Sequence, residues 1–190
     1  MSQPLKITVL DFYVADKTEA VDGGVPTYGT PKVLGGAAQV QVAYSKNPLK
    51  VYESGRAVYN KTHIADATVT LGSHTVPLAD KKDLFFGVEA DVNGVYEEGG
   101  DTDTPKGVAI GWPVLLSDGK YLCTWFYDAS ASPNDENYQT ENESGPQIEP
   151  DSIEFSCVRR AGDRLLRRTK VCATLADMQT FFAAVVPSGT

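Results

Sequence analysis

Apolar and polar positions alternate along much of this chain with the period of two that a β-strand imposes. Ile7 to Val14 is rich in β-branched and aromatic residues and reads as a first strand. Asp22-Gly23-Gly24, followed by Pro26 to Pro31, reads as a loop of turn residues. Gln39 to Tyr44 alternates, with Val40 and Val42 opposite Gln39, Gln41 and Ala43, and predicts a half-buried strand. Thr62 to Leu71 returns to this pattern through Ile64, Ala67, Val69 and Leu71, with a bulge near Asp66. Lys106 to Leu116 and Lys120 to Tyr127 form the clearest hairpin, turned at Ser117-Asp118-Gly119. In its second strand Tyr121, Cys123, Trp125 and Tyr127 share one face, and Leu122, Thr124 and Phe126 the other. Apolar bulk on both faces predicts a strand covered on both sides. Ile153 to Arg159 and Arg164 to Ala173 are predicted to pair with each other across a turn at Ala161-Gly162-Asp163.

Two stretches follow a helical period instead. Leu78 to Val88 brings Leu78, Leu84, Phe85 and Val88 to one broad face, with Asp80 or a neighbour placed to bond free N–H groups of the first turn. Leu175 to Val186 aligns Leu175, Met178, Phe181, Phe182 and Val185. Thr174 is its N-cap candidate, Asp177 sits three residues later, and Pro187 ends it. Three stretches are too polar for a core, at about 45–61, 91–105 and 129–151. The first reads as a long loop or an irregular hairpin. The expected fold is mainly β, one domain over 1–190. It is a β-sandwich or barrel of about seven or more antiparallel strands, with a short internal helix and a C-terminal helix.

Composition narrows the function classes. A chain of 190 residues buries enough surface, roughly 70%, to need no staples. The net charge of −8, from 17 basic and 25 acidic residues, opposes specific nucleic-acid binding, which needs clustered cations. Cys123, Cys157 and Cys172 are widely spaced and form no CxxC. They read as buried free thiols in a reducing compartment, with a disulfide as the alternative. Met1 to Lys6 is not an apolar signal segment, and no run approaches the roughly 20 apolar residues of a membrane span. A cytoplasmic origin and no membrane partner are expected.

The chemical motifs point away from catalysis. The two histidines, His63 and His74, stand in no nucleophile motif, and neither Gly-x-Ser-x-Gly nor a phosphate loop occurs. Gly23-Gly24 and Gly35-Gly36 open no helix. The acids Glu97, Glu98, Asp101 and Asp103 lack calcium-loop spacing and read as a solvated loop, as do Asp135 and Glu136. No catalytic, cofactor or metal residue is expected. The one basic concentration is Arg159, Arg160, Arg164, Arg167 and Arg168. Set on the opposite side from Glu97, Glu98, Asp101, Asp103, Asp135 and Glu136, it would attract identical subunits head to tail. Such unlike surfaces build rings or open filaments.

Thr27-Tyr28-Gly29-Thr30-Pro31 with Val33-Leu34, and Val108-Ala109-Ile110-Gly111-Trp112 through Leu116-Ser117-Asp118-Gly119-Lys120-Tyr121 to Trp125-Phe126-Tyr127, resemble signatures of siphophage major tail (tail-tube) proteins, the phi13-type family. A polar loop, Pro150-Asp151-Ser152-Ile153-Glu154-Phe155 and a final strand pair follow in the family's order, from about Val25 to Arg168. The stretch from Glu53 to Asp66 matches weakly. The resemblance implies a tail-tube-like subunit that closes into hexameric rings, which stack into a virion tail tube assembled in the host cytoplasm. Its partners would be further copies of itself and the tape-measure, tail-terminator and distal-tail proteins, with phage DNA passing through the lumen without specific binding. The alternatives are a β-sandwich binding module for a receptor or carbohydrate, or another tail component such as a completion protein. Tyr44, Tyr52, Tyr59, Trp112 and Tyr138 would line a binding groove in the first of these.

Overall fold

The computed structural model describes residues 4–53, 56–133 and 150–186. Its strands are Lys6–Val9 (β1), Asp11–Thr18 (β2), Thr27–Tyr28 (β3), Lys32–Gly36 (β4), Gln39–Glu53 (β5), Arg56–Ser73 (β6), Gly107–Leu116 (β7), Tyr121–Pro133 (β8), Asp151–Val158 (β9) and Arg167–Cys172 (β10). A 3-10 turn lies at Val21–Gly23, and the helices among the described residues are Leu78–Phe86 (α1) and Leu175–Phe182 (α2). The protein is mainly β, and all strand pairs are antiparallel.

The strand order is β3-β2-β7-β8-β9-β6-β5, with β4 beside β2, β1 beside β7 and β10 beside β8. The β7–β8 hairpin organises it. Gly119 closes the turn at φ +77°, a conformation that only glycine adopts without steric cost, and Leu116 N–H donates to the Lys120 carbonyl at 2.8 Å. Each strand of this hairpin offers one edge to two partners in succession. Along β8, Tyr121 to Phe126 pair with β10 and Asp128 to Pro133 pair with β9. Along β7, Leu116 to Val114 pair with β1 and Gly111 to Val108 with β2.

One expected strand and one expected pairing are therefore corrected. Ile7 to Val14 is interrupted at Leu10, whose N–H donates to the Pro113 carbonyl. Ile153 to Arg159 and Arg164 to Ala173 do not pair with each other. The corner between them turns through Gly162 at φ +78° and Arg164 at φ +57°, which delivers the later strand to the first half of β8.

A bulge gives β8 two working faces. Val108 pairs with Ala129, yet Ile110 pairs with Phe126, so β8 holds one extra residue there. Because strand side chains alternate, one inserted residue moves every later side chain to the other face. Phe126 before the bulge and Ala129 and Ala131 after it all enter the same core. That core fills the inside of the curl, where Phe12 stacks on Trp112 and Phe155, and Trp112 on Phe126, with ring centroids 5.6–5.8 Å apart. Phe12 lies on β2 and Phe155 on β9, with two strands between them in the order, so the sheet is strongly curled.

The other face is covered by α2. Cys123, Trp125 and Tyr127 meet Met178, Phe181 and Phe182 there, and Trp125 Nε1 donates to the Phe181 carbonyl at 3.3 Å. Gly111 is small for a reason: a Cβ on it would sit 2.7 Å from the Trp125 ring. Thr174 and Asp177 form the expected capping box, and the helix ends at Phe182, short of the expected Val186. In α1 the expected aspartate cap is absent: Pro77 takes the N-cap position with no side-chain bond, and Asp80 pairs instead with Lys32. Of the expected apolar face, Leu84 is buried, Leu78 is 57% exposed, and Val88 lies beyond the helix, which ends at Phe86 with Gly87 as its C-cap.

Candidate assembly surface

The stretch expected at 45–61 as a loop or irregular hairpin is a hairpin. Strands β5 and β6 stay paired from Gln39↔Gly72 out to Glu53↔Arg56, with register shifts at Tyr44/Lys46 and Val51/Tyr52. Strand β9 accompanies β6 only from Ala67 to Ser73. Outward of that point β6 has β5 as its partner, and β5 is the last strand in the order. The result is a two-stranded ribbon that leaves the sheet. Its root is buried: Ala67, Val69 and Leu71 of β6 lie in the core, with Val40, Val42 and Tyr44 of β5 packed against it. Beyond the first register shift Lys46, Lys50 and Arg56 are exposed, Ile64 is 40% exposed and Tyr59 45%.

The arginine concentration divides by role. Arg159 donates to the Ile64 carbonyl, and Arg167 donates to the Tyr44 hydroxyl while standing 5.3 Å over its ring, so both brace the root of the ribbon. Arg160 is buried on the Tyr127 ring, 3.8 Å from its centroid, and its Nε donates to Asp163 at 2.9 Å. The Arg160 guanidinium holds the Asp163 carboxyl below the usual carboxylate range. Arg168 donates to the carbonyls of Phe181 and Ala184 at 3.1 and 2.7 Å, closing the C-terminal end of α2 where cations are favoured. Arg164 is exposed.

The acidic stretch 91–105 is irregular, and much of it is spoken for within the chain. Asp91 accepts the N–H groups of Asn93 and Val95, each at 2.8 Å, and Asp103 those of Gly99 and Gly100 at 2.8 and 3.0 Å. Glu98 pairs with Lys82 of α1. Glu97 and Asp101 are exposed. Ala129 to Pro133, expected as the start of a loop, belong to β8; Asp135, Glu136 and Tyr138 lie outside the described residues.

The ribbon and the acidic stretch occupy opposite ends of β6. Its first residue, Arg56, is at the ribbon's tip, while its last, Ser73, leads into α1. The acidic stretch is fastened to α1 through Lys82–Glu98, through Thr104 N–H to the Phe86 carbonyl, and through Lys106 N–H to the Leu84 carbonyl. At roughly 3.3 Å per residue, about 55 Å of strand runs between the two ends of β6. Of the two expectations for 45–61 the irregular hairpin holds, and Val51, Tyr52, Val58 and Tyr59, strand-forming residues set among charged ones, are its signal in the sequence. Its exposed cations Lys46, Lys50 and Arg56 are not among the expected site residues.

The cavities carry little chemistry. A hollow of about 500 Å³ is lined by Val25 to Pro31 and by Ala183 to Val186, where Tyr28 is the titratable side chain and burial raises its pKa. A second, of about 350 Å³, lies beside the ribbon's root between Asp66, Arg159 and Arg164. Trp112 is in the core, Tyr44 lies under Arg167, and His74 is exposed. The three cysteines are buried and free, with the sulfurs of Cys123 and Cys172 at 3.6 Å. Burial pushes the Cys157 thiol up to about 12, far from the range of a nucleophile. Among the described residues no three His, Cys, Asp or Glu side chains converge as a metal site, and no helix is long and apolar enough to cross a membrane. No protein-family model matches the chain, and a search of curated proteins returns no match.

Proposed function

We propose that this chain is the structural subunit of a phage tail tube, a sandwich or barrel of the tail-tube kind that self-assembles into stacked hexameric rings through which DNA passes. The observation that carries this reading is the β5–β6 ribbon. A two-stranded ribbon exposed on both faces is marginal by itself and gains stability from a third strand or a packed surface. Its outer strand also presents an unpaired edge, the usual template for a further chain. A ribbon braced at its root by Arg159 and Arg167 is positioned to meet another subunit. The acidic balance of the chain suits a conduit that DNA must leave as easily as it enters. The major-tail-protein resemblance of the β7–β8 hairpin supplies the ring and the tube; the tape-measure, terminator and distal-tail proteins follow as partners.

Negative-stain electron microscopy over a series of concentrations and salt levels tests the reading. Rings or hollow tubes are the expected result. Small compact particles under every condition, with or without a preformed tail tip as initiator, would overturn it and favour a binding module using the hollow between Val25 to Pro31 and Ala183 to Val186. Deleting Pro133 to Gly145 is expected to leave the subunit folded and to impair polymerisation.

A further inference from the structure

We infer that the subunits associate head to tail by charge: the basic outer half of one copy's ribbon docks on the acidic end, formed by α1 and the stretch that follows it, of the next copy. This rests on the self-assembling reading and adds to it a partner surface and a direction. Residues 46–64 carry Lys46, Lys50, Arg56 and Lys61 against one acid, Glu53. Residues 78–105 carry eight carboxylates against two lysines. Within the acidic end Lys82 is paired with Glu98 and Lys81 with Asp151, Lys32 and Lys106 from outside it pair with Asp80 and Asp83, and Asp91 and Asp103 accept backbone N–H groups, which leaves Glu89, Glu97 and Asp101 as its exposed acids outside any such pair or bond among the described residues. Within the ribbon Lys46 and Lys50 lie four residues apart on one strand and so share a face, and neither appears in an ion pair among the described residues.

A chain cannot satisfy this complementarity by itself. Lys50 is in register with Asn60, and about 40 Å of strand, the 13 residues on from there to Ser73, runs between the two surfaces along β6. The attraction must be met between copies. Donor and acceptor surfaces at opposite ends of one long strand make the contact heterologous and repeating, which gives an open stack and not a closed pair. The exposed Ile64 and Tyr59 add apolar area to a contact that charge has oriented.

The test uses two full-length variants, Lys50→Cys and Asp101→Cys, mixed under mild oxidation; the native thiols are buried, so dimers are linked through the introduced sulfurs. The mixed disulfide dimer is expected to form about tenfold faster than either homodimer, because docking raises the effective concentration of the two sulfurs. This advantage should vanish at about 1 M salt, where screening shortens to ~3 Å. Mixed dimers no faster than homodimers, or a rate indifferent to salt, would overturn the docking. The two readings separate cleanly. Tubes in the microscope without preferential cross-linking remove the docking and keep the tube, whereas salt-sensitive cross-linking without rings or tubes keeps the docking and removes the tube.

Discussion

Strand β8 and the outer ribbon of β5–β6 are built from the same alternation, and they meet opposite fates. In β8 both faces are used: Trp125 is closed under α2, Phe126 lies inside the curl, and neither exposes any surface. In the ribbon Tyr59 and Ile64 stand 45% and 40% exposed. The contrast runs even through a single strand, since β6 is core from Ala67 to Leu71 and ribbon from Arg56 to Ile64. Alternation sets the pleat; what covers each face is decided by elements far away in sequence, here α2 and β9. A strand pair with neither cover is stable only as an extension of something larger, or with a partner.

The largest effect should come from the doubly covered strand. Trp125→Ala is expected to cost about 3–5 kcal/mol in urea unfolding, from lost burial and the cavity left between β8 and α2. Tyr59→Ala in the isolated subunit should change the midpoint very little; a loss approaching that of Trp125 would break the contrast. Next comes Arg160→Met, which removes the pair with Asp163 and the contact with the Tyr127 ring, for about 2 kcal/mol, less than a fully buried pair because Asp163 is one-third exposed. The pair also carries a pH signature. The folded pKa of Asp163 is depressed, chiefly by its bond to Arg160, so its contribution is present above the unfolded value of about 3.9 and is lost as pH falls through the folded one. Acid unfolding of Arg160→Met should lack that portion of the pH dependence. Removing the cap with Thr174→Ala should cost about 1 kcal/mol, detectable as a lower melting temperature with α2 still in place.

Much of the core could be read from the sequence, and the reason is contrast. Trp125 and Phe126 on adjacent positions already require cover on both sides, and Thr174 with Asp177 already spells a helix start. The pairing of the last two strands could not be read in this way. Periodicity reports which face a residue occupies and is silent on which edge a strand joins, so a turn at Gly162 suggested a hairpin where two strands share the edge of β8. The ribbon is legible only as one of two alternatives, a long loop or an irregular hairpin, for a related reason: where apolar and polar residues no longer separate between faces, the periodic signal fades. The arginines show the converse. Arg160 and Arg168 stand in the basic concentration that flanks a turn and a strand edge, but aromatic faces and backbone carbonyls give their guanidinium groups partners inside the chain.

The smallest expected change in stability is also the sharpest test of the division. Replacing 47–63 by Asn-Gly joins Lys46 to Ile64, residues already in register, through the shortest turn that matches strand twist. The root keeps Val40, Val42, Ala67, Val69 and Leu71 in place, and a shorter connection costs less closure entropy. The shortened subunit should therefore unfold within about 0.5 kcal/mol of the parent. It should also fail to form rings or tubes at concentrations where the parent does. A loss of more than about 2 kcal/mol would show that the ribbon belongs to the folding unit. Normal tubes from the shortened chain would show instead that the ribbon is dispensable for assembly, and the open edges of the curled sheet would have to carry the contact between subunits.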